Sequence, residues 1–132
     1  MESLSKEKLD FLQKKAKDIR IEIIKEITNA NSGHPGGSLS IADLLTLLFF
    51  HEMHVDIKNP KMENRDRLVL SKGHGAPALY AVLAEKGFFD KQELNYLRQV
   101  DHILQVPRLR EPQKLSIPHD QYERPVPYRK RH

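Results

Sequence analysis

Leu68-Val69-Leu70-Ser71-Lys72-Gly73-His74-Gly75-Ala76-Pro77-Ala78, written LVLSKGHGAPA, changes character twice in a few residues. Its opening apolar run is bounded by charge upstream and by Ser-Lys-Gly downstream, and it is too short for a helix. That pattern predicts a buried parallel strand. Gly75-Ala76-Pro77 then opens a helix over Ala78 to Lys86, with Pro77 in the first turn and Gly87 as the stop. Strand, loop and helix in that order predict an α/β fold. In open parallel sheets, ligands bind beyond the carboxyl ends of strands, beside helix N-termini. Free N–H groups and partial positive charge there suit phosphate. Gly73 and Gly75 clear the approach to His74, whose imidazole can donate a hydrogen bond to a phosphate oxygen.

A second glycine-rich bend lies upstream. Ser32-Gly33-His34-Pro35-Gly36-Gly37-Ser38 places three of the six glycines and a proline around one histidine. An ordinary connection between helices needs one glycine at most. The stiffened turn presents the His34 imidazole with little steric cover. Either loop alone reads equally well as a helix connection carrying an incidental histidine. Two such loops forty residues apart, one of them following a strand, point to a shared site. Spacing alone does not identify the ligand.

Further outward the pattern is helical. Leu9, Leu12, Ala16, Ile19, Ile23, Ile27 and Ala30 recur in steps of three and four, which predicts one long amphipathic helix over Lys6 to Ala30. Ser5 is a suitable start. Ser40-x-x-Asp43 resembles a capping box, so a second, deeply buried helix is expected from Ser40 through IADLLTLLFFHEM. Asp90 suits the N-cap of a last helix, Lys91 to about Leu104. Tyr80, Phe88 and Phe89 are expected in the core.

Composition narrows the class. The 132 residues, 39% hydrophobic and 30% charged, fit one soluble domain with a modest core. No apolar run approaches a membrane span, and the N-terminus lacks the apolar core of a signal peptide, so a cytoplasmic location and no membrane are expected. The chain has no cysteine, which excludes disulfides and thiolate metal sites. The net charge of +4 is concentrated at one end: residues 101–132 hold seven Lys/Arg against four Asp/Glu. A general nucleic-acid surface is therefore not expected. Five of the eight prolines also fall in the last 26 residues, so 106–132 reads as an irregular or disordered tail behind a domain of 1–105.

NSGHPGGSLSIADLLTLLF and NRDRLVLSKGHGAPALYAVLAEKGFF strongly resemble the N-terminal, thiamine-diphosphate-binding part of transketolases. The likeness is greatest to the split type, where that part is a separate subunit, and runs from about Lys6 to Gln105. The resemblance implies the opening portion of a doubly wound parallel-sheet domain, mostly helical here. It also implies transfer of a two-carbon ketol unit between sugar phosphates, using thiamine diphosphate and Mg²⁺. By the same resemblance, His34 falls near the reacting thiazolium and substrate hydroxyls. His74, with Gly73 and Gly75, falls on the diphosphate. The implied partner is a C-terminal subunit, in a homodimeric or heterotetrameric assembly.

The likeness stops after LRQVDHILQ. The family's third histidine loop and its Gly-Asp-Gly…Asn motif for Mg²⁺ are missing, so no metal ligands are assigned. A frame shift near Gln105 is expected: one choice of codons for Gln113 to His119, read one frame over, encodes Lys-Val-Glu-Tyr-Ser-Thr, similar to the family there. Alone, the chain is expected to be inactive. The alternative is a non-catalytic truncated remnant or a small helical interaction module without cofactor. His51-Glu52-Met53-His54 lacks metalloprotease spacing and reads as a solvated helix end.

Overall fold

The computed structural model describes residues 3–31 and 34–96. The expected tail 106–132 and most of the last expected helix lie outside these. The described part contains helices α1 (Lys6–Ala30), α2 (Pro35–Leu39), α3 (Ala42–Leu47) and α4 (Ala76–Lys86). A π-helical turn, Leu48–Glu52, continues α3, and 3₁₀ turns at Gly73–Gly75 and Lys91–Tyr96 flank α4.

Helix α1 follows its sequence period closely. The Ser5 hydroxyl accepts the Lys8 N–H at 3.1 Å, the side-chain cap expected of serine. Leu12, Ala16, Ile19 and Ile23 form the buried stripe. Asn31 ends the helix at φ 49°, the left-handed conformation that asparagine tolerates better than other non-glycine residues.

The second helix departs from expectation at its start. Ser40 caps nothing; its hydroxyl donates to the Gly37 carbonyl at 3.1 Å and accepts from the Lys72 ammonium at 2.6 Å. With that side chain engaged, α3 begins at Ala42. The preceding loop instead coils into α2, whose first turn is pre-set by Pro35. Deep burial has also moved. Leu44 on α3 is 55% exposed, whereas every residue from Ala76 to Ala84 on α4 is buried. Helix α4 sits at the centre, packed by α1, α2, α3 and all three turns. Ala76, Ala78, Ala81 and Ala84 let neighbours approach closely, while Leu79, Tyr80, Val82 and Leu83 fill the space between them. Tyr80 is core as expected, and Phe88 and Phe89 pack on it from the edge.

The expected buried strand at Leu68-Val69-Leu70 is corrected. Leu68 makes one isolated bridge, and no sheet forms among the described residues. Leu68 and Leu70 pack inward, but Val69 is 56% exposed, so only one face of this extended run is covered. At the other end Asp90 does cap: its carboxylate accepts the Gln92 N–H at 2.9 Å. The turn it starts is 3₁₀ within the described residues.

Two charged groups stand out in this core. Glu85 joins Lys15 of α1 at 3.1 Å and Lys91 at 2.7 Å. Burial pushes its carboxyl up, yet the hydrogen bonds from Lys91 and Lys15 outweigh that and hold it below the ordinary range. Glu26 of α1 is fully buried, and neither of its carboxylate oxygens has a hydrogen-bond partner among the described residues. Burial, with Glu22 adding repulsion, pushes its pKa up from 4.5 to about 10.

The folded chain therefore holds a proton on Glu26 at neutral pH that the unfolded chain releases. Its contribution is fully present below about pH 4.5 and declines as pH rises toward 10. Glu26→Met should stabilise the chain more at pH 8 than at pH 5, by a difference on the order of 4 kcal/mol. Urea denaturation at the two pH values measures this, and equal gains would contradict a raised carboxyl pKa.

Gly36 and Gly37 offer a paired test. A β-carbon on Gly37 would lie 2.9 Å from the His74 Cβ and 3.2 Å from its carbonyl oxygen, whereas one on Gly36 meets nothing within 4 Å. Gly37→Ala should cost about 1–3 kcal/mol by overpacking. Gly36→Ala should be neutral or stabilising by up to about 1 kcal/mol. Thermal unfolding should show Gly37→Ala melting below the parent chain and Gly36→Ala melting at or above it.

Candidate functional site

His34 and His74 reach one place from two directions. His34 is the residue preceding α2, in extended conformation, and its side chain makes no capping bond. His74 is the middle residue of the 3₁₀ turn that leads into α4. Their ring centroids lie 5.0 Å apart with planes at 79°, an edge-to-face contact. Both residues are exposed, so ring nitrogens remain open to a ligand.

The contact depends on how closely α2 approaches the turn. Gly37 has no side chain at the point where His74 Cβ passes. Next to it, Ser38 is fully buried and its hydroxyl donates to the His74 carbonyl at 3.1 Å. The Ser38 Oγ also accepts the Ala78 N–H at 3.3 Å. Gly73 is exposed beside His74, while Gly75 is buried: a β-carbon there would meet the Ile41 side chain at 2.6 Å. Lys72, exposed, reaches across to Ser40 and ties the same two segments on the solvent side. The structure thus gathers His34, His74, Gly73 and Gly75. It adds Gly37, Ser38, Ser40 and Lys72, of which the sequence reading gave roles to none at the site. The one available signal was a pair of serines, Ser38 and Ser40, spaced by a single residue just after a glycine pair.

The expected free N–H groups at the start of α4 are largely taken. Ala76 N–H bonds to the Gly73 carbonyl, Pro77 has none, and Ala78 N–H goes to Ser38. The Gly75 N–H bonds to the Lys72 carbonyl. Anion-binding capacity therefore lies in side chains: two imidazoles and one ammonium, with open space beside Gly36. These donors fit a pyrophosphate group in chemistry. They do not fit a divalent cation, and among the described residues no group of three or more His, Cys, Asp or Glu gathers at metal-binding distance. His51 and His54 are not on one helical face: the π-helical turn ends at Glu52, and the chain is extended from Met53. An apolar groove of about 510 Å³ between α1 and α3 is lined by none of the residues at the histidine pair. Among the described residues no helix is long and apolar enough to cross a membrane.

Comparison with known proteins places the chain in a family. Residues 12–106 match the family described as the transketolase, thiamine diphosphate binding domain. The chain is 49% identical over 96 residues to the 6-deoxy-6-sulfo-D-fructose transketolase subunit SqwG of a Clostridium species, covering 73% of this chain and 34% of that protein. It is 46% identical over 103 residues to human transketolase, covering 76% of this chain and 16% of the relative. The crystal structure of transketolase from Campylobacter jejuni superposes with a TM-score of 0.67 at 33% identity, over 82% of this chain and 17% of that one. The chain spans about a third of SqwG's length and about a sixth of human transketolase's. The mostly helical described part is the opening portion of a larger α/β domain, and the chain belongs to the transketolase family through its thiamine-diphosphate-binding domain.

Proposed function

We propose that this chain supplies one wall of a thiamine-diphosphate site in a transketolase assembled from separate subunits. The observation that carries this reading is the edge-to-face pairing of two exposed imidazoles at 5.0 Å. When bound, thiamine diphosphate supplies a carbanion at its thiazolium and an electron sink for a two-carbon ketol unit. The residues of this chain bind and orient. His34, on the extended residue before α2, holds hydroxyls of a sugar phosphate and moves protons at them. His74, flanked by Gly73 and Gly75, donates to the diphosphate, with the Lys72 ammonium adding positive charge nearby. Gly37 and Ser38 keep the two rings at one separation.

Mg²⁺ is part of this proposal for the assembled enzyme, with ligands outside the described residues of this chain. A cytoplasmic C-terminal transketolase subunit is the proposed partner; SqwG, the relative at 49% identity, is itself a transketolase subunit. Such a division of labour leaves this chain inactive alone, whether it joins a homodimer or a heterotetramer. Two imidazoles and a lysine give a diphosphate only a few charge-assisted bonds, so the isolated chain should bind thiamine diphosphate at about the millimolar level.

Titrating thiamine diphosphate into the full chain should shift the ring resonances of both His34 and His74 in NMR spectra. His74→Ala should weaken binding at least about fivefold, the loss expected for one charge-assisted hydrogen bond. A coupled assay for ketol transfer should show no turnover by the chain alone. Ring resonances that ignore the cofactor would favour a remnant or helical interaction module instead.

A further inference from the structure

We propose that Ser38 is a positioning residue, whose buried hydroxyl sets the mutual placement of the two histidines by clamping the turn of His74 to the helix that follows His34. The proposal rests on reading the two histidines as one site. Its basis is a division of bonds that helices seldom need. The N-cap position of α4 is Gly75, which has no side chain, so the helix has no side-chain cap of its own. The Ala78 N–H, third in that helix, would otherwise be an orphan donor in a fully buried position. Ser38 accepts it at 3.3 Å from a different segment, doing from across the chain what a capping serine does locally. The same hydroxyl donates its proton to the His74 carbonyl at 3.1 Å. A hydroxyl offers one proton and two lone pairs, so a single atom ties both sides of Gly75.

The mechanical consequence falls on His34. Helix α2 is five residues long, holds two glycines and lacks a side-chain cap, so its own hydrogen bonds cannot hold it. Ser38 is its one fully buried residue. His34 sits immediately before this helix, and His74 at the other end of the Ser38 bond. Without that bond, Gly37 limits how close the segments come, and the exposed Lys72–Ser40 contact, on a long and flexible side chain, does not fix their slide past one another. Ser38 removes the sliding freedom, and the 5.0 Å ring separation follows.

The test compares the full chain with Ser38→Ala and with the nearly isosteric Ser38→Cys, whose thiol is a weak donor and acceptor. Three NMR readouts are taken: cross-relaxation between the His34 and His74 ring protons, exchange of the Ala78 amide, and the methyl resonances of Ile19, Ile23 and Leu79. Ser38→Ala should speed Ala78 exchange roughly five- to a hundredfold and erase most of the ring-to-ring signal. The core methyl resonances should stay in place. Ser38→Cys should change both readouts in the same direction by less, and it decides the matter if the alanine variant does not fold. Faster Ala78 exchange with the ring contact intact would make Ser38 a helix cap only and overturn the proposal. Loss of the ring contact together with shifted core methyls would also overturn it. Inorganic pyrophosphate titrated into the wild-type chain tests the shared site separately. Should neither ring respond, the reading of a shared site fails while the ring contact still decides the part played by Ser38.

Discussion

The closeness of two backbones governs this structure. Where α2 passes the turn before α4, the absent side chain of Gly37 faces the β-carbon of His74 at a distance no real β-carbon could occupy. From that single approach follow the burial of Ser38, the bridging of Ser40 by Lys72, and the meeting of two imidazoles that the chain places forty residues apart. Each of these is weak by itself. A hydroxyl bond contributes on the order of 1 kcal/mol, and an exposed lysine contact less. They become effective because all of them restrain one interface between a short helix and a turn, neither of which is stable in isolation.

What makes that interface rigid is the helix beneath it. α4 is buried on all sides from its first residue to Ala84, an unusual position for the only helix that carries the site's turn. Alanines give it a slim profile, so α1 and α3 can close around it, and Ile19, Ile23, Leu45 and Phe49 form the walls. A turn anchored to such a helix inherits its placement, which is why an exposed histidine can still be held in a defined position. The buried carboxyl of Glu26 is at odds with this core, since its two oxygens have no hydrogen-bond partner among the described residues, where an apolar side chain would serve.

Much of this was legible beforehand, and the reasons are specific. The bounds of α1 could be read because its apolar period runs unbroken from Leu9 to Ala30 between a serine and an asparagine that both cap. The end of α4 was equally plain, since Gly87 adopts φ 106° and few other residues could. That the two histidine loops would meet was readable from the glycines around them, and their rings do lie 5.0 Å apart. The errors arise where tertiary contacts, not local sequence, decide. Ser40 looks like a cap in sequence, yet its hydroxyl is engaged by Gly37 and Lys72. Ser38 looks like loop filler, yet it caps a helix forty residues later. Leu68-Val69-Leu70 has the composition of a buried strand, but composition cannot supply the neighbouring strands that would cover Val69.

The same distinction bears on how an anion is held. A helix end offers fixed N–H groups that cannot follow a ligand, whereas imidazole and ammonium groups rotate on their side chains and can adapt to one. At the start of α4 the fixed donors are spent inward, on the Gly73 carbonyl and on Ser38, and only side chains remain outward. The helix end therefore serves as scaffold, and the donors left facing outward are two imidazoles and an ammonium. That arrangement suits a wall of a larger site. Two imidazoles and an ammonium stand outward at a spacing that the Gly37 approach sets, and the bonds that hold them there are made within the chain itself.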